Sequence, residues 1–505
     1  MQYQTPNANP ARLLGEVPMD LDYKHNFSDQ LQMKAIRYDI VYKAQTPTAY
    51  GPGLNIITIP VEASNFLDLK EARLSFDLTY PSVNLSQLDG GAWSVIKRLR
   101  IMNEQGAEIE RCEDYNLYHT VMHHYTDSLP DAMQNSIMAG SVDGMNIGTV
   151  NNQYGGIWTP PTAVTLTAAA YASGNAANYA SSRALTRFRQ EDTQIVASGL
   201  KRHYEFKLKN GWFNPVGGKY LSPHVKFTVE ITLELTNTAF VSSSNMASEP
   251  YVINNTELKI PMISILDPGF AGVINDLRNT LQQFRFSSYK VYYGAVTATA
   301  TPQTSLQISD RSLSLKAMLV VARTDGQMAA ANQSHWALSK HTIQHIADWQ
   351  FTVGSVLYPP VKVLNVSDVT SNNVSAAWVD TANTTGTQSS SVSFPLAATT
   401  VNFNPCSTFH EVRKVFPNVQ LLDKNGFYQS HLNNGAGILG ISFEAYQGEK
   451  NGIGGINTKQ DGVPITFDFA TSAAVAGYGA SKLEFLALMD VYCDILPGGD
   501  IRVSS

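Results

Sequence analysis

The chain has 505 residues, a formal net charge of −6, 43% hydrophobic residues and only 15% charged residues. Against a typical ~25% charged residues, this composition argues against long solvated helices, and the acidic balance argues against a basic nucleic-acid-binding domain. The hydrophobic fraction excludes disorder throughout, and at ~200–250 residues per large β domain the length holds two such domains as readily as three ordinary ones.

The N-terminus, Met1-Gln2-Tyr3-Gln4-Thr5-Pro6, has no basic stretch followed by an apolar run, so no signal peptide is expected. No apolar run approaches the ~18 residues of a membrane span. The first clear strand places Leu74, Phe76, Leu78 and Tyr80 against Arg73, Ser75, Asp77 and Thr79. Such period-two alternation marks a half-buried strand. A helix is predicted from about Glu113 to His124, where Leu117, Tyr118 and Val121 share one face. Residues 128–199 then lack regular pattern and form a long insert. Alternation resumes at Tyr204, Phe206 and Leu208, and is clearest at Val225, Phe227, Val229, Ile231, Leu233 and Leu235.

Mid-chain, Asp267 and Pro268 have the N-cap and first-turn chemistry of a helix, followed by a stripe of Phe270, Val273, Ile274, Leu277 and Leu281. Strand patterns follow at Leu313, Leu315, Ala317, Leu319 and Val321, and at Trp349, Phe351 and Val353. A second insert spans about 364–400. Thr408 and Glu411 have capping-box spacing, Phe409, Val412 and Phe416 supply an apolar side, and Pro417 stops the helix. The last strands are Ile465, Phe467, Phe469 and the run Leu483, Phe485, Ala487, Met489, Val491, Cys493, Ile495. The predicted division is therefore a first β block over 35–266, a linking helix over 267–283 and a second β block over 284–505. Leu67-Asp-Leu-Lys70 and Leu313-Ser-Leu-Lys316 are a faint repeat between them.

Chemistry is sparse. Cys112, Cys406 and Cys493 lie far apart and suggest no disulfide framework and no Cys-x-x-Cys metal site, which fits synthesis in a reducing compartment. Cys493 falls on an apolar face and is expected in the core. Gly435-Ala-Gly437-Ile-Leu-Gly440 matches a dinucleotide fingerprint, but polar turn-like sequence precedes it and a strand pattern follows, so a strand-connecting loop is expected. His119 and His123 are spaced i, i+4 beside His124, yet Thr120 stands where a zinc protease needs Glu. His410-Glu411 begins the same motif, but Lys414 replaces its second His. Packed or exposed histidines are the expectation. Lys97, Arg98 and Arg100 form a short basic cluster, expected as a solvated face or as charge pairs with a neighbouring subunit. Asn254-Asn-Thr256, Asn373-Val-Ser375 and Asn383-Thr-Thr385 fit the glycosylation pattern and mark polar loops. No serine-nucleophile elbow and no phosphate loop occurs. Catalytic, cofactor-binding and metal residues are therefore assigned to none, and the chain is expected not to be an enzyme.

The order of elements resembles the double jelly-roll major capsid proteins of tailless icosahedral double-stranded DNA viruses. Polinton-like viruses and virophages are nearest, with adenovirus hexons and giant-virus capsid proteins more remote. The resemblance rests on residues 65–79, on Gly90-Gly-Ala-Trp-Ser-Val-Ile-Lys-Arg-Leu-Arg-Ile101 with Gly106-Ala-Glu-Ile-Glu110 and Asp114-Tyr-Asn116, and on Ala347-Asp-Trp-Gln-Phe-Thr-Val-Gly354 with Tyr358-Pro-Pro360. Phe409 to Phe416, Gly455-Ile-Asn457 and the close through Pro497-Gly-Gly499 complete it. It spans most of 35–505, while the two inserts and an N-terminal arm, residues 1–34, match no part of it.

The resemblance implies an all-β chain of two tandem jelly-roll β-sandwiches with a few short helices. It also implies a homotrimeric pseudo-hexagonal capsomer that tiles an icosahedral shell in the virion, with penton and minor capsid proteins as partners. No cofactor and no sequence-specific nucleic acid are expected. The low charge density suits surfaces buried against other copies. A carbohydrate-binding β-sandwich of fibre or lectin type is the alternative, served by Tyr171, Tyr179 and Trp378; a β-rich hydrolase is disfavoured by the missing motifs.

Overall fold

The computed structural model describes residues 35–128, 201–266, 279–324, 346–367, 402–417, 437–444, 454–471 and 481–504. Short gaps fall within these at 46–48, 54–55, 82–85, 243–248, 297–302, 404–405 and 460–462, and isolated positions are described elsewhere. The arm, the linking segment over 267–278, most of both inserts, the aromatics Tyr171, Tyr179 and Trp378, and the sequons at Asn373 and Asn383 lie outside the described residues.

Eight principal strands build the first half: β1 (Ala35–Lys43), β2 (Ile57–Glu62), β3 (Arg73–Thr79), β4 (Ile96–Asn103), β5 (Glu108–Cys112), β6 (Lys201–Lys207), β7 (Lys226–Leu233) and β8 (Val252–Ile265). They form two antiparallel sheets, ordered β1-β8-β3-β6 and β2-β7-β4-β5. Eight more build the second half: β9 (Gln282–Val296), β10 (Thr304–Ile308), β11 (Leu315–Thr324), β12 (Ile346–Val353), β13 (Val356–Leu364), β14 (Leu439–Ser442), β15 (Ile465–Thr471) and β16 (Ser481–Ile495). Their sheets run β9-β16-β11-β14 and β10-β15-β12-β13. Counted within its own half, each pair of sheets has the order 1-8-3-6 and 2-7-4-5. Two four-stranded sheets so connected make a jelly roll, and the chain contains two. The first roll's sheets draw on residues 35–265 and the second's on 282–504. The Leu67 and Leu313 tetrapeptides both sit at the entrance to the third strand of their roll.

The helices recur in the same place. α1 (Tyr115–Thr126) follows the fifth strand of the first roll, and α2 (Cys406–Val415) lies between the fifth and sixth strands of the second. Each is tied to its sandwich by one indole. Trp93 Nε1 donates to Thr120 Oγ1 at 2.9 Å, and Trp349 Nε1 donates to Thr408 Oγ1 at 3.1 Å. Both tryptophans are wholly buried. No described helix is long and apolar enough to cross a membrane.

Several expectations change in detail. The stripe from Asp267 does not stay helical to 283, because Gln282 and Gln283 open β9, paired with Ile495 and Asp494. Leu281 is exposed. α2 begins at Cys406, so Thr408 is not its cap; its hydroxyl donates to Asn365 Oδ1 within the buried tryptophan bridge. Along β7 burial alternates as the sequence predicts, but a register shift between Thr232 and Leu233 reverses the alternation. Glu234 is thereby buried and Leu235 exposed. Its carboxylate is satisfied by Asn116 Nδ2 at 3.1 Å and the Leu235 amide at 2.9 Å. The late central strands are also covered on both faces rather than one: Met318, Val320 and Ala322 are as buried as Leu319 and Val321.

Candidate functional site

The residues singled out for chemistry are placed in structural roles. His119 is buried, stacked on Trp93 with ring centroids 4.3 Å apart, and its Nδ1 meets the Tyr115 hydroxyl at 3.1 Å. Burial, reinforced by the nearby Lys209 charge, holds its pKa well below the usual imidazole value. His123 Nδ1 meets Asp127 Oδ2 at 2.7 Å, and Lys209 pairs with the other oxygen of that carboxylate. Burial raises the Asp127 pKa, but His123 and Lys209 outweigh it and hold the carboxyl below its ordinary range. His410 is exposed, while Glu411 pairs with Lys414 at 2.6 Å. Among the described residues no cluster has the composition of a metal site.

Gly440 lies inside β14, so strand and not a helix N-terminus directly follows it, and its surroundings do not aim helix amides at a phosphate. Gly435 lies outside the described residues. Cys112 and Cys493 are free and buried. Burial pushes the Cys112 thiol far up, with Glu110 adding to it, and pushes the Cys493 thiol up to about 12. Neither thiol is poised to react, since the thiolate is the nucleophile.

The basic cluster is paired within the first roll. Arg100 pairs with Glu108 and Glu230, both at 3.0 Å, Arg98 with Glu113 at 3.9 Å and Lys97 with Glu234 at 3.9 Å. Each of these charges has a carboxylate within the roll, and Lys97 is also half exposed, as a solvated face would be. The Asn254 sequon falls in β8, where a register shift leaves Asn255 in a left-handed conformation at φ 49°.

The most elaborated polar site is the junction between the rolls. β5 ends the second sheet of the first roll, and Glu110 lies on it, only 4% exposed. Its Oε1 accepts from the Gly211 amide at 2.9 Å and the Ser288 hydroxyl at 2.6 Å. Its Oε2 accepts from Asn210 Nδ2 at 2.6 Å and the Trp212 amide at 2.9 Å. Three of these donors come from the loop between β6 and β7, and Ser288 comes from β9 of the second roll. A buried carboxylate needs such saturation, because an unpaired buried charge is strongly destabilising.

The same loop wraps the edge of β9. Trp212 packs on Phe284 and Phe286, with centroids 5.2 and 6.0 Å away. The Val216 amide donates to Arg285 O at 2.9 Å. Gly211 is required here, since a β-carbon would collide with the Ser287 carbonyl and the Phe286 ring. On the other side, Tyr289 stacks on Tyr118 of α1 at 3.7 Å and donates to Glu113 O at 2.9 Å. The chain end completes the junction. Ile501–Ser504 pairs with β16, and Asn103 Nδ2 donates to Asp500 Oδ1 at 3.2 Å.

Thus the fifth-strand end of the first roll meets the first-strand end of the second. Among the described residues no such junction is made at the β1 end of the first roll or at the β13 end of the second. Both are edge strands of mixed character: Ile36, Tyr38, Val356 and Val361 are exposed, Arg37, Asp39, Lys43 and Lys362 add charge, and Val363 is buried. This geometry has no catalytic constellation among the described residues; what it offers is surface.

No protein-family model and no curated protein matches the sequence. Solved structures do match in shape. The Faustovirus major capsid protein is 8% identical, with 97% of this chain and 94% of that one covered at a TM-score of 0.51. A chain of the Sputnik virophage is 9% identical, with 93% and 88% covered at a TM-score of 0.50. Near end-to-end coverage at such low identity concerns the fold, and the fold of this chain is the double jelly roll of the viral major capsid proteins.

Proposed function

We propose that the chain is a major capsid protein that acts by burying surface, not by catalysis. The carrying observation is the repetition of one strand order in two rolls joined end to end, in a chain that aligns over 97% of its length with a capsid protein. Three such chains supply six similar wedges, and the reading is a homotrimeric, pseudo-hexagonal capsomer that tiles an icosahedral shell in the virion. Penton and minor capsid proteins are the further partners, and residues 1–34 are an arm beneath the shell. Closing the rolls into a ring also covers sheet edges that would otherwise invite uncontrolled pairing.

Sedimentation and negative-stain microscopy of the purified full chain test the reading. Pseudo-hexagonal trimers or shells are expected, and a stable monomer overturns it. Truncation of residues 1–34 is expected to leave trimers intact and to impair shell assembly; loss of folded trimers would count against the arm.

A further inference from the structure

α1 ties a buried histidine to the junction between the rolls. His119 is 1% exposed, stacked on Trp93 and edge-on to Phe206 at 5.5 Å. The Tyr115 hydroxyl accepts from the Lys209 amide at 3.1 Å, which leaves its own proton for His119 Nδ1, also 3.1 Å away. This network assigns Nδ1 as the acceptor of a neutral ring. A proton on Nδ1 sets two donors face to face and deprives the tyrosine O–H of its acceptor.

Among the described residues the carboxylates around this ring are already engaged. Asp127 is taken by His123, Asn135 and Lys209, and Glu110, behind Tyr115, by its four donors. Tyr115 also faces Cys112 and Tyr118, and the His124 ring lies 5.7 Å from that of His123. From β4, Arg98 meets Glu113 just before the helix, and Lys97 meets Glu234, which Asn116 holds. The second roll presents Tyr289, Tyr293 and Phe416 to this region. An imidazolium at His119 therefore meets no unengaged anion from any of these elements.

The groups around the ring also build the junction. Lys209 leads into Asn210-Gly-Trp212, which supplies three of the four donors to Glu110, and the fourth is Ser288 of the second roll. Beyond them the Val216 amide is bonded to β9. On α1 itself Tyr118 stacks on Tyr289, and Tyr293 donates to Asp114 Oδ2 at 2.6 Å. We propose that His119 is an acid-operated latch, whose protonation releases α1 and the 209–216 loop from β9 and so opens the junction between the rolls. The device lies within one chain and does not rest on the capsomer reading.

Burial and the Lys209 charge depress the pKa of the ring, so the closed junction excludes the proton and the open one takes it up. The closed form keeps its full stability above ~6.5, the unfolded value, and loses it as pH falls below that. Hydrogen exchange of the full chain between pH 7.5 and 5, corrected for the intrinsic pH dependence of exchange, tests this. Protection of the Lys209, Gly211, Trp212 and Val216 amides should fall by up to about tenfold per pH unit below ~6.5, before that of β7. The C2 hydrogen of the His119 ring should begin to exchange over the same range. His119→Gln offers the Tyr115 hydroxyl an amide oxygen but takes up no proton, and should keep the four amides protected to pH 5. His203→Gln, at an exposed imidazole, should leave the response unchanged.

Four amides that stay protected to pH 5 in the unsubstituted chain overturn the latch. Simultaneous loss of β7 protection also overturns it, because the roll is then unfolding and the junction is not opening by itself. The same acid response in folded His119→Gln, or its loss in His203→Gln, overturns it too. Where His119→Gln does not fold, the ring in the unsubstituted chain decides. A His119 C2 hydrogen that stays shielded while the loop amides open overturns the proposal, and exchange of both together supports it.

Discussion

The first and second rolls share a strand order but solve the same internal problems with different residues. In the first, Trp93 sits on a short turn before β4, stacked on His119, and reaches Thr120 on α1. In the second, Trp349 sits within β12 among Phe351 and Phe467, and reaches Thr408 on α2. The indole-to-threonine bridge from the fourth-strand region to the helix persists, while almost everything around it has changed. Buried charge shows the same freedom. Among the described residues, Glu110 in the first roll is paired with no cation and is satisfied by four neutral donors. Glu484 in the second is wholly buried but pairs with Arg323 and, at 2.8 Å, with Lys482. Burial raises its pKa, yet those two cations prevail and hold it below the ordinary carboxylate range. The topology thus depends on patterning and on a few satisfied polar anchors, and cores tolerate wide apolar exchange around such points.

Four measurements would break or sharpen this comparison. Trp93→Ala and Trp349→Ala should each destabilise their roll by about 3–5 kcal/mol in denaturant titration, from lost burial and the cavity left behind. Similar losses support equivalence of the two bridges, whereas a loss under about 1 kcal/mol at either would break it. Arg323→Met leaves Glu484 buried beside only one cation and should cost about 3 kcal/mol; adding Glu484→Leu should recover most of it.

Acid should separate the rolls. His119 has a depressed pKa, so its unfolded form takes up a proton first as pH falls below ~6.5. The first roll should then lose stability by up to about 1.4 kcal/mol per pH unit. The depressed Glu484 contributes stability that is complete above its unfolded value and is lost only as pH falls below ~4.3. Hydrogen exchange between pH 6.5 and 5 should show protection falling in β3–β6 peptides before β11–β16 peptides, and simultaneous loss would refute the assignment. The smallest effect is expected at Arg100→Ala, where partly exposed pairs should contribute within about 1 kcal/mol in thermal melts.

Much of the fold was legible because alternation is a local signal. Val225 to Leu233 announces a strand by side-chain type alone, and the Trp349, Phe351, Val353 run does the same. The reversal at Glu234 was not legible, since it arises from a bulge against β4. Thr408 and Glu411 have the spacing of a cap, and only the position of Trp349 reveals that Thr408 has a different partner. Glu110 was hidden most completely. Its neighbours in sequence alternate like an ordinary outer face, and its burial depends on a loop some hundred residues later and a strand from the other roll. Asn210-Gly-Trp212 was the available hint, a glycine beside a large aromatic where two backbones approach closely.

In each roll the eighth strand, the last of the jelly roll itself, lies in the middle of the first sheet. β8 lies between β1 and β3, and β16 lies between β9 and β11. During synthesis the earlier strands of each pair have no direct neighbour to join them. Their sheet can close only when the eighth strand emerges, and the junction is sealed later still by Ile501–Ser504. Such long sequence separations make folding slow and leave apolar edges open meanwhile. A ribosome that stops before Ser481 therefore releases not a slightly shortened protein but a second roll missing its central stave.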